Sequence, residues 1–337
     1  MKGHDPMSNK KKILGAVFAV LALYLVFVVV AVIVDTKDSR ETASSQNGSE
    51  RVADRHSPGE EEFNAGMALL EAGDQECAID HFIAAAEQGN TVAKYKLGLC
   101  FLNAEGVDTA TSMYPADLTE ARAWFQEAAE EGYAEAQYEL GSIYYNGNGV
   151  EKNLPEAVKW YTKAAEQGLA EAQYALGHYY DYNAPSRSNK KMAMEWYRKA
   201  AEQGHAEAQY NLGFRYLMGE YVNQDPDEAL KWIRKAAEQG LSVAQFQLGA
   251  CYQSGIGGKR GIAEAVTWYR KAAEQDDPAI DAKSVLVANE AKYKLGECYL
   301  NGIGVEQDKA EAVKWFTEAA EQGNTEAIDA LKRLGVE

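Results

Sequence analysis

Proline is scarce in this chain, seven in 337 residues, so the strongest helix breaker is absent from most of its length. Cysteine is scarce too. Cys77, Cys100, Cys251 and Cys298 are spaced neither as a Cys-x-x-Cys redox pair nor as a zinc site, and a chain of this size needs no disulfide staples. The five histidines, His4, His56, His81, His178 and His205, show no metal-ligand spacing, so no metal or other cofactor is expected. Runs of positive charge are missing beyond residue 60. The formal net charge is −17, and residues 1–60 hold eight Lys/Arg against seven Asp/Glu, which leaves −18 on the remainder. A surface of that sign repels phosphate backbones, and nucleic acid is not an expected partner.

What is present points to helix. Ala, Glu, Gln, Lys and Leu abound, and 46% apolar content is enough for a sizeable core, so the expected class is all-α. The 22 residues from Ile13 to Val34 carry no charge; as helix they would extend about 33 Å, against a bilayer core of roughly 30 Å. Lys10, Lys11 and Lys12 precede this run, whereas Asp35, Lys37, Asp38 and Arg40 after it nearly cancel. Excess positive charge stays on the cytoplasmic side, which predicts a cytoplasmic tail at 1–12, a transmembrane anchor at 13–34, and the remainder in the periplasm or outside the cell. A cleavable signal peptide would have a shorter apolar region ending in Ala-x-Ala, but this one ends Ala31-Val32-Ile33-Val34-Asp35. Residues 35–60 are polar and read as a flexible linker.

The six tryptophans share one register, Trp124, Trp160, Trp196, Trp232, Trp268 and Trp315, with spacings of 36, 36, 36, 36 and 47. A Leu-Gly pair recurs beside them, placing Gly98, Gly141, Gly177, Gly213, Gly249 and Gly296 in a second ladder. Each unit reads as two helices around a polar turn. Ala136, Leu140 and Tyr144 share a face of the first, while Ala157, Trp160, Tyr161, Ala164 and Ala165 follow the helical period in the second and mark a buried seam. Cys100, Cys251 and Cys298 each fall two residues after a Leu-Gly, in a slot shared with Ile143, and read as small buried hydrophobes. Asp74, Asp117, Asn153, Asn189, Asp225, Gly261 and Asp308 stand at the N-cap position of the second helices. Glu120, Glu156, Glu228, Glu264 and Glu311 sit three further on, and Pro226 takes a first helical position. Gly89, Gly132, Gly168, Gly204, Gly240 and Gly323 end the second helices.

Ala170-Glu171-Ala172-Gln173-Tyr174-Ala175-Leu176-Gly177 and Trp160-Tyr161-Thr162-Lys163-Ala164-Ala165-Glu166-Gln167-Gly168 resemble the two signature halves of the Sel1-like repeat, a relative of the tetratricopeptide repeat. The resemblance covers 90–323 in six units. Residues 61–89 look like a shorter, tetratricopeptide-length first unit, with Gly66 twelve residues before Ala78 and His81 in the Trp register. The end, 324–337, reads as a capping helix from Asn324 to Leu334. The resemblance implies a right-handed α-solenoid superhelix of helix-turn-helix repeats, here preceded by one transmembrane helix. It also implies a membrane-anchored scaffold or adaptor that binds other proteins or peptides and is not an enzyme; the oligomeric state is left open.

Two other functions are weighed. Some Cys-rich Sel1-like proteins are linked with β-lactamase activity, but the family's Cys pair within each repeat is missing here. The Ser-x-x-Lys matches, Ser8 to Lys11 and Ser188 to Lys191, fall in the tail and in an expected inter-helix loop, with no Ser-Asp-Asn or Lys-Thr-Gly beside them. A cell-wall glycan binder is the other, since aromatic-rich grooves suit sugars. Gly147-x-Gly149-Val150 and Gly302-x-Gly304-Val305 resemble a phosphate loop in composition only, because neither a strand nor a Lys-Ser/Thr accompanies them.

Function is expected on the concave surface lined by the first helices. Positions three before, one after and four after the repeated Gly share a face there: Tyr138, Ser142 and Tyr145; Tyr174, His178 and Asp181; Tyr210, Phe214 and Leu217. Aromatic anchors among polar residues suit a peptide ligand, and the variety Leu99, Ser142, His178, Phe214, Ala250 and Glu297 at one position predicts that it is exposed. Extra residues within 103–117 (seven) and 276–290 (eleven, including Ser284-Val285-Leu286-Val287) are read as loop extensions that could also mark sites.

Overall fold

The computed structural model describes residues 58–102, 117–183, 186–258, 260–275 and 282–336. The expected tail, the expected anchor at 13–34 and nearly all of the linker lie outside them, as do 103–116 and 276–281. Among the described residues all regular structure is helical, and no helix is long and apolar enough to cross a membrane.

Two compact units divide at His205. The N-terminal one holds α1 (Glu60–Glu71), α2 (Gln75–Glu87), α3 (Thr91–Leu102), α4 (Leu118–Glu130), α5 (Ala134–Asn146), α6 (Leu154–Glu166), α7 (Ala170–His178, continued by a π-turn at Tyr179–Asn183) and α8 (Arg187–Glu202). The C-terminal one holds α9 (Ala206–Met218), α10 (Pro226–Glu238), α11 (Ser242–Ser254), α12 (Ile262–Ala273), α13 (Ala282–Asn301), α14 (Lys309–Glu321) and α15 (Thr325–Leu334). Within each unit every helix packs on the next, as in a repeat solenoid; odd-numbered helices are the first of a pair and even-numbered the second.

Local chemistry sets the helix ends. Asp74, Asp117, Asn153, Asp225 and Asp308 each accept a backbone N–H of their own first turn, at 2.7–3.3 Å. The expected cap Asn189 is instead the donor: its N–H bonds Ser186 Oγ at 3.1 Å, so α8 starts a turn earlier than its siblings. That places Ser188 and Lys191 in a helix rather than the expected loop. The N-cap residue also donates its N–H back to the carbonyl three residues after the repeated Gly: Asn153 to Tyr144, Asp225 to Tyr216, Gly261 to Tyr252 and Asp308 to Tyr299. Asp117 N–H reaches Phe101 O at 3.2 Å in the same way, so the extra residues between them leave the helix pair closed as elsewhere. The second insertion departs from expectation, because 282–290 extend the first helix α13 instead of forming a loop. Val287 is buried there, while Leu286 is exposed.

The two glycine ladders exist for different reasons. A Cβ at Gly168 would meet nothing within 4 Å, but its φ is +100°, which only Gly adopts cheaply. A Cβ at Gly141 would stand 2.6 Å from a ring carbon of Tyr161, so there space and not φ demands Gly. Every Leu-Gly glycine meets the residue after the Trp: Phe125, Tyr161, Tyr197, Ile233, Tyr269 and Phe316. In the first pair Gly66 meets Phe82 in the same way. These seven side chains are at most 5% exposed and form the core with the Leu-Gly leucines and the alanine seam. The tryptophans beside them differ from the expected uniform burial: Trp160 and Trp232 are 4% exposed, whereas Trp124, Trp196, Trp268 and Trp315 are half-buried. The helical period brings both residues near the seam, but the residue after the Trp takes the place over Gly, and in four of the six repeats the indole beside it stays partly exposed. Cys100, Cys251 and Cys298 are buried, and desolvation pushes their thiols up to about 11, 12 and 11; Cys77 is exposed.

Buried polar groups join successive repeats. Gln137 accepts from Gln167 at 2.8 Å and donates to Ala129 O at 3.0 Å. Gln173 with Gln203, Gln209 with Gln239, and Gln245 with Gln275 repeat the 2.8 Å pairing. At the first of these positions in α3 stands Lys94, and its partners become Glu131 (2.6 Å) and Glu127 (3.1 Å). Lys292 in α13 likewise faces Glu318 at 3.8 Å. Glu127 and Glu318 occupy the position three after Trp, which is Lys163, Lys199, Lys235 and Lys271 wherever the buried residue is Gln. A buried ammonium requires an acidic neighbour and a buried amide does not, so the two positions change together.

Candidate partner-binding surface

In the N-terminal unit the expected first-helix face is a cluster of half-buried rings. Tyr138 and Tyr145 flank Tyr161 with centroids 5.7 and 6.3 Å away. Asn183 Nδ2 donates to the Tyr145 hydroxyl at 2.9 Å. Tyr174 stacks on His205 at 4.6 Å, and His178 lies 6.2 Å from Tyr174 and 4.6 Å from Tyr182.

Ser142 and Asp181 serve the interior. Ser142 Oγ accepts from the Tyr161 hydroxyl at 3.2 Å, and Asp181 Oδ2 accepts from the Tyr197 hydroxyl at 3.3 Å. Asp181 is 6% exposed, which corrects its expected place on an open surface: the wider π-turn carries it toward Tyr197, whose buried hydroxyl needs an acceptor. Burial holds the Tyr161 hydroxyl well above the usual phenol range.

In the C-terminal unit Tyr210, Phe214 and Leu217 are 7%, 5% and 5% exposed and belong to one apolar cluster with Ile233, Leu230 and Cys251. Their expected role as exposed anchors is corrected on that ground. Variety of residue type at the Phe214 position does not signify exposure; Tyr210 at 6.0 Å and the Arg215 guanidinium at 6.0 Å close over the ring.

Two members of the N-terminal cluster escape sequence reasoning. Tyr182 follows His178 by one helical turn and could have been read from the i, i+4 rule. His205 lies in the turn after α8 and reaches Tyr174 only through the fold. Ser188 and Lys191 are both exposed on α8, and among the described residues no group of three or more His, Cys, Asp or Glu is placed to hold a metal.

Stacked helix-turn-helix pairs with a large apolar or tyrosine side chain over a glycine in every pair define a repeat-solenoid protein. The Sel1 repeat family model matches seven segments, 66–90, 91–133, 134–169, 170–205, 206–241, 242–277 and 289–324, and the chain belongs to that family. The first segment is the one expected as a tetratricopeptide-length unit. A protective antigen present in uropathogenic Escherichia coli strains, displaying an SLR fold, shares 31% identity and a TM-score of 0.61, over 82% of this chain and 64% of that one. The chain thus spans just under two thirds of that antigen. A Sel1 repeat protein from Oxalobacter formigenes shares 30% identity and a TM-score of 0.62, over 77% of this chain and 96% of that one. None of the curated proteins matches. Sel1 repeat proteins generally mediate protein–protein interaction, and their solenoid is typically a non-catalytic scaffold.

Proposed function

We propose that this chain is a membrane-tethered scaffold that binds a protein or peptide through the first-helix face of its N-terminal unit. The observation that carries the reading is the grouping of half-buried rings at Tyr138, Tyr145, Tyr174, His178 and Tyr182, with His205 behind Tyr174. Rings of this kind offer contact area at little entropic cost, and such residues dominate binding energy at protein interfaces. A photo-crosslinker at His178, in the full chain in native membranes, should give one dominant crosslinked protein by mass spectrometry, and one at exposed Glu130 should not. Equal yields from both positions would defeat the assignment.

The tether is the uncharged stretch 13–34, and the lysines before it favour repeats outside the cytoplasm. A reporter fused after Glu337 tests this. Activity from a reporter that works only in the cytoplasm would reverse the topology.

A further inference from the structure

We infer that the second-helix face of the C-terminal unit is a docking stripe for an acidic segment of a partner protein. This goes beyond the first-helix reading and does not rest on it. The stripe is built from two successive repeats. In one, Lys235 Nζ lies 4.6 Å from the Trp232 ring, and the Arg234 guanidinium hydrogen-bonds the Tyr252 hydroxyl with its carbon 5.8 Å from that ring. In the next, Lys271 Nζ lies 4.3 Å from the Trp268 ring, and Arg270 Nη2 donates to the Tyr299 hydroxyl at 2.5 Å. All four cations are exposed.

None of the four pairs with a carboxylate among the described residues, although the chain is strongly acidic. Glu238 lies four residues after Arg234 and three after Lys235, and Glu274 stands in the same relation to Arg270 and Lys271, the spacings at which helical ion pairs form. Other lysines of the unit do pair: Lys231 with Glu228 at 3.1 Å, Lys294 with Glu297 at 2.9 Å and Lys314 with Glu311 at 3.8 Å. An aromatic face orients a cation without neutralising it, so each guanidinium keeps donors for an incoming carboxylate. The −18 carried after residue 60 repels a long polyanion from afar, whereas a short carboxylate-bearing segment seated on the four cations is screened from most of that charge beyond a Debye length of about 8 Å.

The test is fluorescence anisotropy of a labelled Asp/Glu-rich dodecapeptide with the purified full-length chain in a neutral detergent. The peptide should bind, weaken as salt rises, and perturb indole emission. Lys235→Gln with Lys271→Gln, and separately Arg234→Gln with Arg270→Gln, should weaken it roughly ten-fold or more. Lys231→Gln with Lys314→Gln removes the same charge from paired lysines and should weaken it less than about two-fold. Lys235→Arg with Lys271→Arg should retain binding, which separates a lost site from a lost fold. No binding at low salt, an equal loss in the paired-lysine control, or tighter binding of phosphatidylserine vesicles or single-stranded DNA than of the peptide would overturn the inference.

Discussion

Replacing Gly141 with Ala probes the feature on which every repeat depends. The new Cβ would stand 2.6 and 2.7 Å from two ring carbons of Tyr161, against about 3.5–4.0 Å for carbons in contact, so ring and helix must separate by about 1 Å. The ring cannot swing aside. It is 5% exposed, its hydroxyl is held by Ser142 at 3.2 Å, and Tyr138 and Tyr145 flank it. Overpacking of this kind costs about 1–3 kcal/mol, and the geometry argues for the upper part of that range; helix propensity returns about 1 kcal/mol for Gly→Ala. A net loss of about 1–2 kcal/mol follows. With a urea slope of about 1–3 kcal/mol per molar, the midpoint should fall by roughly half a molar or more. The decisive comparison is a double-mutant cycle with Tyr161→Ala. That change alone opens a cavity and costs about 3–5 kcal/mol, but in its background Gly141→Ala no longer meets a ring and should stabilise by about 1 kcal/mol. Far-ultraviolet circular dichroism and tryptophan fluorescence follow the unfolding. The same loss from Gly141→Ala in both backgrounds would refute the ring-on-glycine account.

Trp232→Ala should cost about 3–5 kcal/mol and Trp268→Ala clearly less, because the first indole is 4% exposed and the second half-buried; equal urea midpoints for the two variants would show that burial does not rank them. Gln137→Lys or Gln167→Glu alone should each destabilise by about 1–3 kcal/mol, and the pair together should recover part of it by imitating Lys94 and Glu131, a coupling that thermal melts of the four proteins would reveal. Glu290 is held above the ordinary carboxylate value by desolvation first, so its ionisation opposes folding: that cost is absent below the unfolded value near 4.5 and grows as pH rises through the folded one. Glu290→Gln should therefore raise the midpoint at pH 7, by an amount that shrinks as the pH approaches 4.5. A thiol reagent should label Cys77 in the native chain and reach Cys100, Cys251 and Cys298 only on unfolding, counted by mass spectrometry.

The period-36 ladders, the cap residues before the second helices and the glycines after them are local properties of the chain, and they were legible in the sequence as helix pairs, helix ends and family. Local spacing also put the three Leu-Gly cysteines in a buried slot, where the structure has them. What helical spacing could not decide is which of two adjacent large residues faces the glycine of its partner helix. Trp160 and Tyr161 both lie near the seam, and only the distance between two helices selects the tyrosine. The same limit governs the candidate sites. Phe214 and His178 are equivalent by position, yet one is closed over by Tyr210 and Arg215 and the other joins an aromatic cluster through Tyr182 and Tyr174. Ser186 rather than Asn189 caps α8, because capping depends on where the backbone leaves its extended form. Basic pairs at Arg234-Lys235 and Arg270-Lys271 are no run in the sequence; packing sets Tyr252 and Tyr299, from the helices that follow, against their guanidinium groups. Periodicity thus settles the elements, while exposure and juxtaposition belong to packing, which depends on side chains distant in sequence.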